Sequence, residues 1–396
     1  MVGVVLAGGV LAASDLGIVA PVASTLERDL RVSGLVAGWA TSVITALAAA
    51  AGLPVARWTR HHEPARLFAY GLGLLAVAGV ATGGLTSSAW SLIGLRALSG
   101  VGYLLIVIMG PAVLVGLTTR SARNAVLGLW GLCIPGGLAV AAAVGGLFAG
   151  SLGWRLWLAT PGIGAVVLLL IAGRRWSGAT KQPGDAEADY PAHAWSSDGP
   201  AGLRGPTLLA AGFGLVAMIG VAIVTLLPAY LQSTTWLSSS EAGSYTALVA
   251  VTSVPGSLLA GWLLHRRVGA RPLLIVGLVM PVGALLCFAV PVPVGAQVGG
   301  AMLVLFANGL VVSAAYATIP AVANHRMTVQ STTGLLTQLG SAGTLLGPPL
   351  FASIAATSPR TIPLGVLGCA ILGIALLLSS DTRGSYGTRE RARRVP

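Results

Sequence analysis

Twelve apolar stretches, nearly all long enough to cross a bilayer, divide this chain, and its cationic residues gather on alternate sides of them. A span needs about 20 predominantly apolar residues. The stretches lie near 2–24, 33–56, 66–87, 89–117, 123–150, 155–173, 207–231, 241–264, 271–291, 295–320, 329–356 and 361–380. Within hydrocarbon every backbone polar group must be satisfied by the protein itself, so only helices and closed barrels cross. Runs this long and this continuously apolar exceed a barrel strand. The expected fold class is therefore an all-α polytopic membrane protein with twelve transmembrane helices.

Composition closes other routes. Of 396 residues, 55% are hydrophobic and 9% charged, which excludes an ordinary soluble domain. A net charge of +12 would point to nucleic acid in a soluble protein. Here it follows from the enrichment of Lys and Arg in cytoplasmic loops, and no nucleic-acid partner is expected. With both termini inside, 18 of the 23 cationic residues are cytoplasmic, among them Arg57, Arg60, Arg120, Arg174, Arg204, Arg266, Arg267 and Arg326. Arg28, Arg31, Arg155 and Arg360 fall outside, and Arg96 lies within a span. Cys133, Cys287 and Cys369 fall inside apolar runs, with neither a disulfide framework nor metal spacing. The N-terminal run lacks the charged start of a signal peptide and is read as the first span. Its abrupt start leaves room for a few upstream residues.

A polar segment at 174–206, rich in Pro, Gly and charge, divides the spans six and six. It reads as a cytoplasmic linker between an N-terminal half, 1–173, and a C-terminal half, 207–380. Residues 381–396 form a basic tail. A weak repeat relates the halves. Gly52-Leu-Pro-Val-Ala-Arg57-Trp-Thr-Arg60 follows the second run, and Gly261-Trp-Leu-Leu-His265-Arg266-Arg267 follows the eighth. A glycine near the helix end, then a cationic turn, at equivalent places in two halves is the mark of a duplicated transporter.

These residues resemble the major facilitator superfamily (MFS) of secondary transporters, along essentially the whole chain. The two basic loops look like that family's signature loop, which latches one conformation through charge. Here Ala56 stands where the family has an acid and Thr59 where it has a second glycine, while Gly269 is kept and His265 stands near the acidic place. Arg96-Ala-Leu-Ser-Gly100-Val-Gly102 resembles the family's fourth-helix motif, linked there to proton transfer. Gly343-Thr-Leu-Leu-Gly347-Pro348 is similar to the core of its antiporter motif. Pro135, Gly136 and Gly137 stand where that motif belongs, with Ile134 in place of glycine. The first span, Asp15 to Leu30, resembles drug-exporting members, and Trp130 to Gly137 resembles cyanate-permease-like ones. The resemblance implies two six-helix halves with pseudo-twofold symmetry.

Of eleven acidic residues, Asp15 alone sits well inside a span. A charged, unpaired carboxylate there costs several kcal/mol, so Asp15 is a candidate proton carrier. The alternative is a structural carboxylate satisfied by Ser14 or by backbone. Arg96 lies at similar depth, roughly 10–14 Å from the same boundary at about 1.5 Å per residue, and either pairs with Asp15 or bonds carbonyls in a wet cleft. Tyr103, Trp130, Tyr230, Tyr245, Asn308, Tyr316 and Gln338, with Thr225, Thr337 and Ser341, are candidates to line a substrate cavity or to bond between helices. Trp90, Trp154 and Trp236 read as interface anchors.

Neither nucleotide loop nor metal cluster nor catalytic pairing is visible, so no enzyme, cofactor or metal is expected. The expected protein is a plasma-membrane carrier, a monomer in the bilayer, exporting small lipophilic compounds against protons. Uptake or facilitated passage of a small anion on Arg96, and a receptor or assembly subunit that transports nothing, are the alternatives. The cationic asymmetry makes one prediction. A membrane-impermeant thiol reagent applied outside cells should label a cysteine at Ser238 and miss one at Gly184; the reverse pattern inverts the topology.

Overall fold

The computed structural model describes residues 1–31, 34–173, 201–288, 292–324 and 327–380, so most of the linker and the basic tail lie outside the described residues. Among the described residues all regular structure is helical. Twelve helical segments are long and apolar enough to span a membrane: Val2–Val22, Gly38–Thr59, Pro64–Leu85, Ala89–Leu117, Ala122–Ala141, Gly153–Ala172, Gly202–Thr234, Glu241–His265, Ala270–Phe288, Val294–Val322, Val329–Ala356 and Ile362–Ser380. They are called spans 1–12 below. The helix of span 7 begins at Ala201, earlier than the apolar run that announces it.

Proline sets the internal breaks. It has no N–H, and its ring crowds the carbonyl four residues back. Pro21 leaves the Gly17 carbonyl without a donor; the first helix stops at Gly17 and resumes as a 3-10 turn over Ala20–Val22. Pro135 does the same to Gly131, where span 5 divides into Arg120–Trp130 and Cys133 onward. Pro255 acts on Val251, where span 8 divides into Ser239–Val251 and Ser253–His265. Pro281 acts on Gly277 within the 3-10 stretch Val276–Val279 of span 9. Between spans 5 and 6 the chain turns at Gly153, whose φ of 74° favours glycine.

Helices gain little from the hydrophobic effect when lipid is the alternative, so they associate through close backbone approach at small residues. The two halves use the same pairs. A Cβ on Gly71 of span 3 would lie 3.0 Å from the Gly102 carbonyl oxygen of span 4, and one on Gly283 of span 9 would lie 2.6 Å from the Gly300 carbonyl of span 10. Gly137 of span 5 packs on Val10 and Ala13 of span 1. Its counterpart six spans on, Gly343 of span 11, packs on Gly214 of span 7, and Gly347 packs on Met218. Gly136 faces only Leu132 of its own segment. The pseudo-twofold relation between halves is thus written in glycine contacts.

The halves meet at the end that carries the basic loops. Gly52 of span 2 approaches Gly334 of span 11, and Gly261 of span 8 approaches Leu129 of span 5. These seams are themselves related by the six-span repeat. Arg57, Arg60, Arg266 and Arg267 are exposed beside them, with Arg266 over the Trp262 ring at 5.2 Å and Arg60 Nε donating to His61 Nε2 at 2.8 Å. At the far end Trp90 and Trp236 are exposed, as anchors should be. Trp154 is not: it is buried, its Nε1 donates to Asp29 Oδ2 at 2.8 Å, and Arg155 lies 4.3 Å over its ring. The shared depth of these tryptophans hid the difference, because Trp154 turns into the first loop.

Steric closeness at the glycine pairs predicts unequal tolerance. Gly102→Leu and Gly283→Leu should each destabilise the purified protein by about 1–3 kcal/mol through overpacking. Gly94→Leu, on the same helix as Gly102 but with open space beside it, should lower the melting temperature far less.

Candidate functional site

The first helix ends two residues after Asp15, so the Asp15 carbonyl belongs to the last turn, whose acceptors lack intrahelical donors. Such an end carries partial negative charge. Arg96, on span 4, is the largest fully buried side chain among the described residues, and it meets this end directly. One terminal nitrogen donates to Asp15 Oδ1 at 2.7 Å and the other to the Asp15 carbonyl at 2.5 Å. Its Nε donates to the Ala40 carbonyl of span 2 at 3.0 Å. The ion pair is almost wholly enclosed, with side-chain exposures of 2% and 1%.

This geometry shows what each of the two charged groups touches. Arg96 pairs with Asp15 and bonds carbonyls at once. Ser14 does not satisfy the carboxylate, because its hydroxyl donates to the Leu11 carbonyl at 2.8 Å. Since one guanidinium nitrogen goes to the backbone, the carboxylate is engaged through a single oxygen. Asp15 Oδ2 is buried and without a hydrogen-bond partner. A buried acceptor in that condition costs about 1–3 kcal/mol and offers a place for a proton or an incoming donor. Trp157 completes the cap of the broken helix, its Nε1 donating to the Ile18 carbonyl at 2.8 Å. Sequence reading missed Trp157, though Pro21 four residues after Gly17 signals that carbonyls there need outside donors.

The aromatic candidates divide. Trp130 is buried against Gly9 of span 1 and Gly110 of span 4, whose missing side chains make its slot. Tyr316 of span 10 is buried and packs edge-on to Phe213 at 5.6 Å, and Tyr103 of span 4 is buried as well. Tyr230 instead turns its ring edge to Phe288 at 4.7 Å, with its hydroxyl buried and unpartnered. Tyr245 and Thr225 are exposed, Thr337 has an unpartnered buried hydroxyl, and Ser341 is buried. Asn308 donates to the Val216 carbonyl at 2.7 Å, a helix–helix bond between spans 10 and 7. Gln338 reaches across the halves to Leu53 and Ala50 of span 2. Among the described residues no cluster of His, Cys, Asp and Glu could hold a metal.

Twelve spans in two repeated halves, with a buried ion pair in one half and a seam between them, define a polytopic membrane protein of internally duplicated architecture. The profile of the Major Facilitator Superfamily matches residues 5–348, and the chain belongs to that family as a membrane transporter. A Mycobacterium tuberculosis protein, the uncharacterized MFS-type transporter Rv1250, is 28% identical over 159 residues. That match spans 40% of this chain and 27% of the relative. Among solved structures, the proton:xylose symporter XylE, bound to 6-bromo-6-deoxy-D-glucose, superposes with a TM-score of 0.72 at 16% identity, covering 95% of this chain and 94% of that one. The human organic anion transporter MFSD10 (TETRAN) superposes with a TM-score of 0.74 at 17% identity, covering 95% and 98%. At these identities the likeness is one of fold.

Enclosure makes the ion pair a strict unit. Removing one partner of a buried pair strands the other, at a cost of about 3–5 kcal/mol. Arg96→Ala should therefore lower thermal stability sharply in detergent. Adding Asp15→Asn to it should recover part of the loss, a coupling that a double-mutant cycle measures.

Proposed function

We propose that this transporter is a proton-coupled carrier that exports small lipophilic compounds by alternating access. The observation that carries the reading is the Asp15–Arg96 pair, with one carboxylate oxygen held by the guanidinium and the other buried and unpartnered. A coupling group must be charged in one state and neutral in another, so its surroundings must change through the cycle. Protonation at Oδ2 would release the charge attraction on one guanidinium nitrogen. The cation would not be stranded, because the Asp15 and Ala40 carbonyls hold two other donors. The broken end of span 1 is thus a second, permanent counter-charge for Arg96.

The same accounting of charge bears on the substrate. The interior acid and the interior cation engage each other, which leaves Trp130, Tyr103 and Tyr316 as conspicuous buried side chains. Aromatic faces and hydroxyls suit an uncharged, lipophilic compound. We place both termini, the linker 174–206 and the tail 381–396 in the cytoplasm of a plasma-membrane monomer, on the strength of the cationic asymmetry. The two halves, 1–173 and 207–380, would rock about the glycine seams.

The test is transport by reconstituted vesicles under an imposed pH gradient with a lipophilic dye as cargo. Asp15→Asn should abolish uphill accumulation while dye binding partly survives. If the variant still drives uphill transport with the same pH response, the proton assignment fails and the anion reading built on Arg96 takes its place.

A further inference from the structure

The signature loop of this chain lacks the acid that would latch it, yet the halves are closed at that end. Ala56, at the acid's place, packs directly on Gly334 of span 11. A second contact lies one turn deeper. Pro54 has no N–H, so the Ala50 carbonyl in span 2 has lost its helical donor. Gln338 Nε2 of span 11 donates to that carbonyl at 3.4 Å, and Gln338 Oε1 accepts from the Leu53 N–H at 3.0 Å. One amide therefore supplies both a donor and an acceptor to the stretch of backbone that the proline disturbs. The fit depends on close approach: a Cβ on Gly52 would lie 2.6 Å from the Gly334 carbonyl and 2.9 Å from Gln338 Cβ. The two partners are separated by 285 residues and lie in different halves, so halves that part at this end must break both bonds.

We propose that Gln338 is the positioning residue that holds the transporter closed at its basic-loop end, a neutral amide clamp on the Pro54 gap of span 2 in place of a charged latch. It rests on the alternating-access reading above but not on proton coupling, substrate or direction. The clamp makes the closed state depend on an amide rather than on charge. Salt should leave it unaffected, since screening acts on charges exposed to solvent. Two hydrogen bonds between membrane helices, at somewhat under 1 kcal/mol each, would shift the closed-to-open ratio about tenfold.

The experiment uses the full chain with its three cysteines replaced and spin labels at positions 61 and 265, one on each basic loop. Distances are read by pulsed electron–electron resonance in lipid nanodiscs. Gln338→Ala should move the distribution toward the longer, open separation by about tenfold. Gln338→Glu separates a clamp from generic packing. A protonated Glu keeps both bonds, whereas an ionised Glu sets an oxygen against the Ala50 carbonyl. Its distribution should be closed at low pH and open at high pH, while the parent shows no such pH step. Pro54→Ala gives Ala50 its own donor and should reduce the effect of Gln338→Ala. If Gln338→Ala leaves the distances of a folded protein unchanged, or Gln338→Glu shows no pH dependence, the clamp is overturned. Loss of uphill transport in Asp15→Asn with an unchanged clamp response would bear on coupling alone.

Discussion

Lipid offers no hydrogen bond to a stray carbonyl, and the architecture of this transporter follows from how its prolines create such carbonyls and how its side chains answer them. Pro21 ends the first helix, and Arg96 and Trp157 supply donors to the exposed turn. Pro54 disturbs span 2, and Gln338 supplies the amide. Pro255 breaks span 8, and beside that break the Thr252 hydroxyl shares its one proton between the Val249 carbonyl at 2.6 Å and the Met302 carbonyl of span 10 at 3.2 Å. At Pro21 and Pro54 the break joins a weak point in one helix to a polar group on another.

These repairs differ in what they connect, and the difference sorts structure from movement. The Arg96 and Trp157 contacts stay within the N-terminal half, and the Thr252 contact stays within the C-terminal half. They place no tie between the halves. The Gln338 contact crosses between halves and does. Glycine pairs divide the same way: Gly71 with Gly102 and Gly283 with Gly300 bind neighbours within a half, whereas Gly52 with Gly334 and Gly261 with Leu129 lie on the seams. A bundle built from tight internal pairs and a few reversible cross-contacts has the mechanical character that alternating exposure requires.

Hydropathy alone located the spans, because the penalty for a polar backbone in lipid makes each crossing long and apolar. Asp15 and Arg96 were equally legible, since a charge within an apolar run stands out whatever its role. Their pairing was not, because depth along two helices says nothing about rotation about either axis. Amide residues were the least legible. Asn308 and Gln338 look alike in sequence, yet Asn308 joins spans 10 and 7 of one half while Gln338 joins both halves. Trp154 shows the same limit: proximity to a span end predicted an interface anchor, and the partner Asp29 on the first loop decided otherwise. Gly137, Gly343 and Gly347 each pack on a neighbouring helix whereas Gly136 faces its own segment, because consecutive residues face different sides of a helix.

The ion pair has a consequence for how the chain is made. Asp15 and Arg96 are 81 residues apart, and a ribosome adding roughly 5–20 residues per second needs roughly 4–16 s to close that interval. During that time the first helix carries a carboxylate with no cation beside it. Span 1 therefore reaches its final hydrogen-bonded form only when span 4 arrives. Biosynthesis, rather than the transport cycle, is the first process to confront the charge at Asp15.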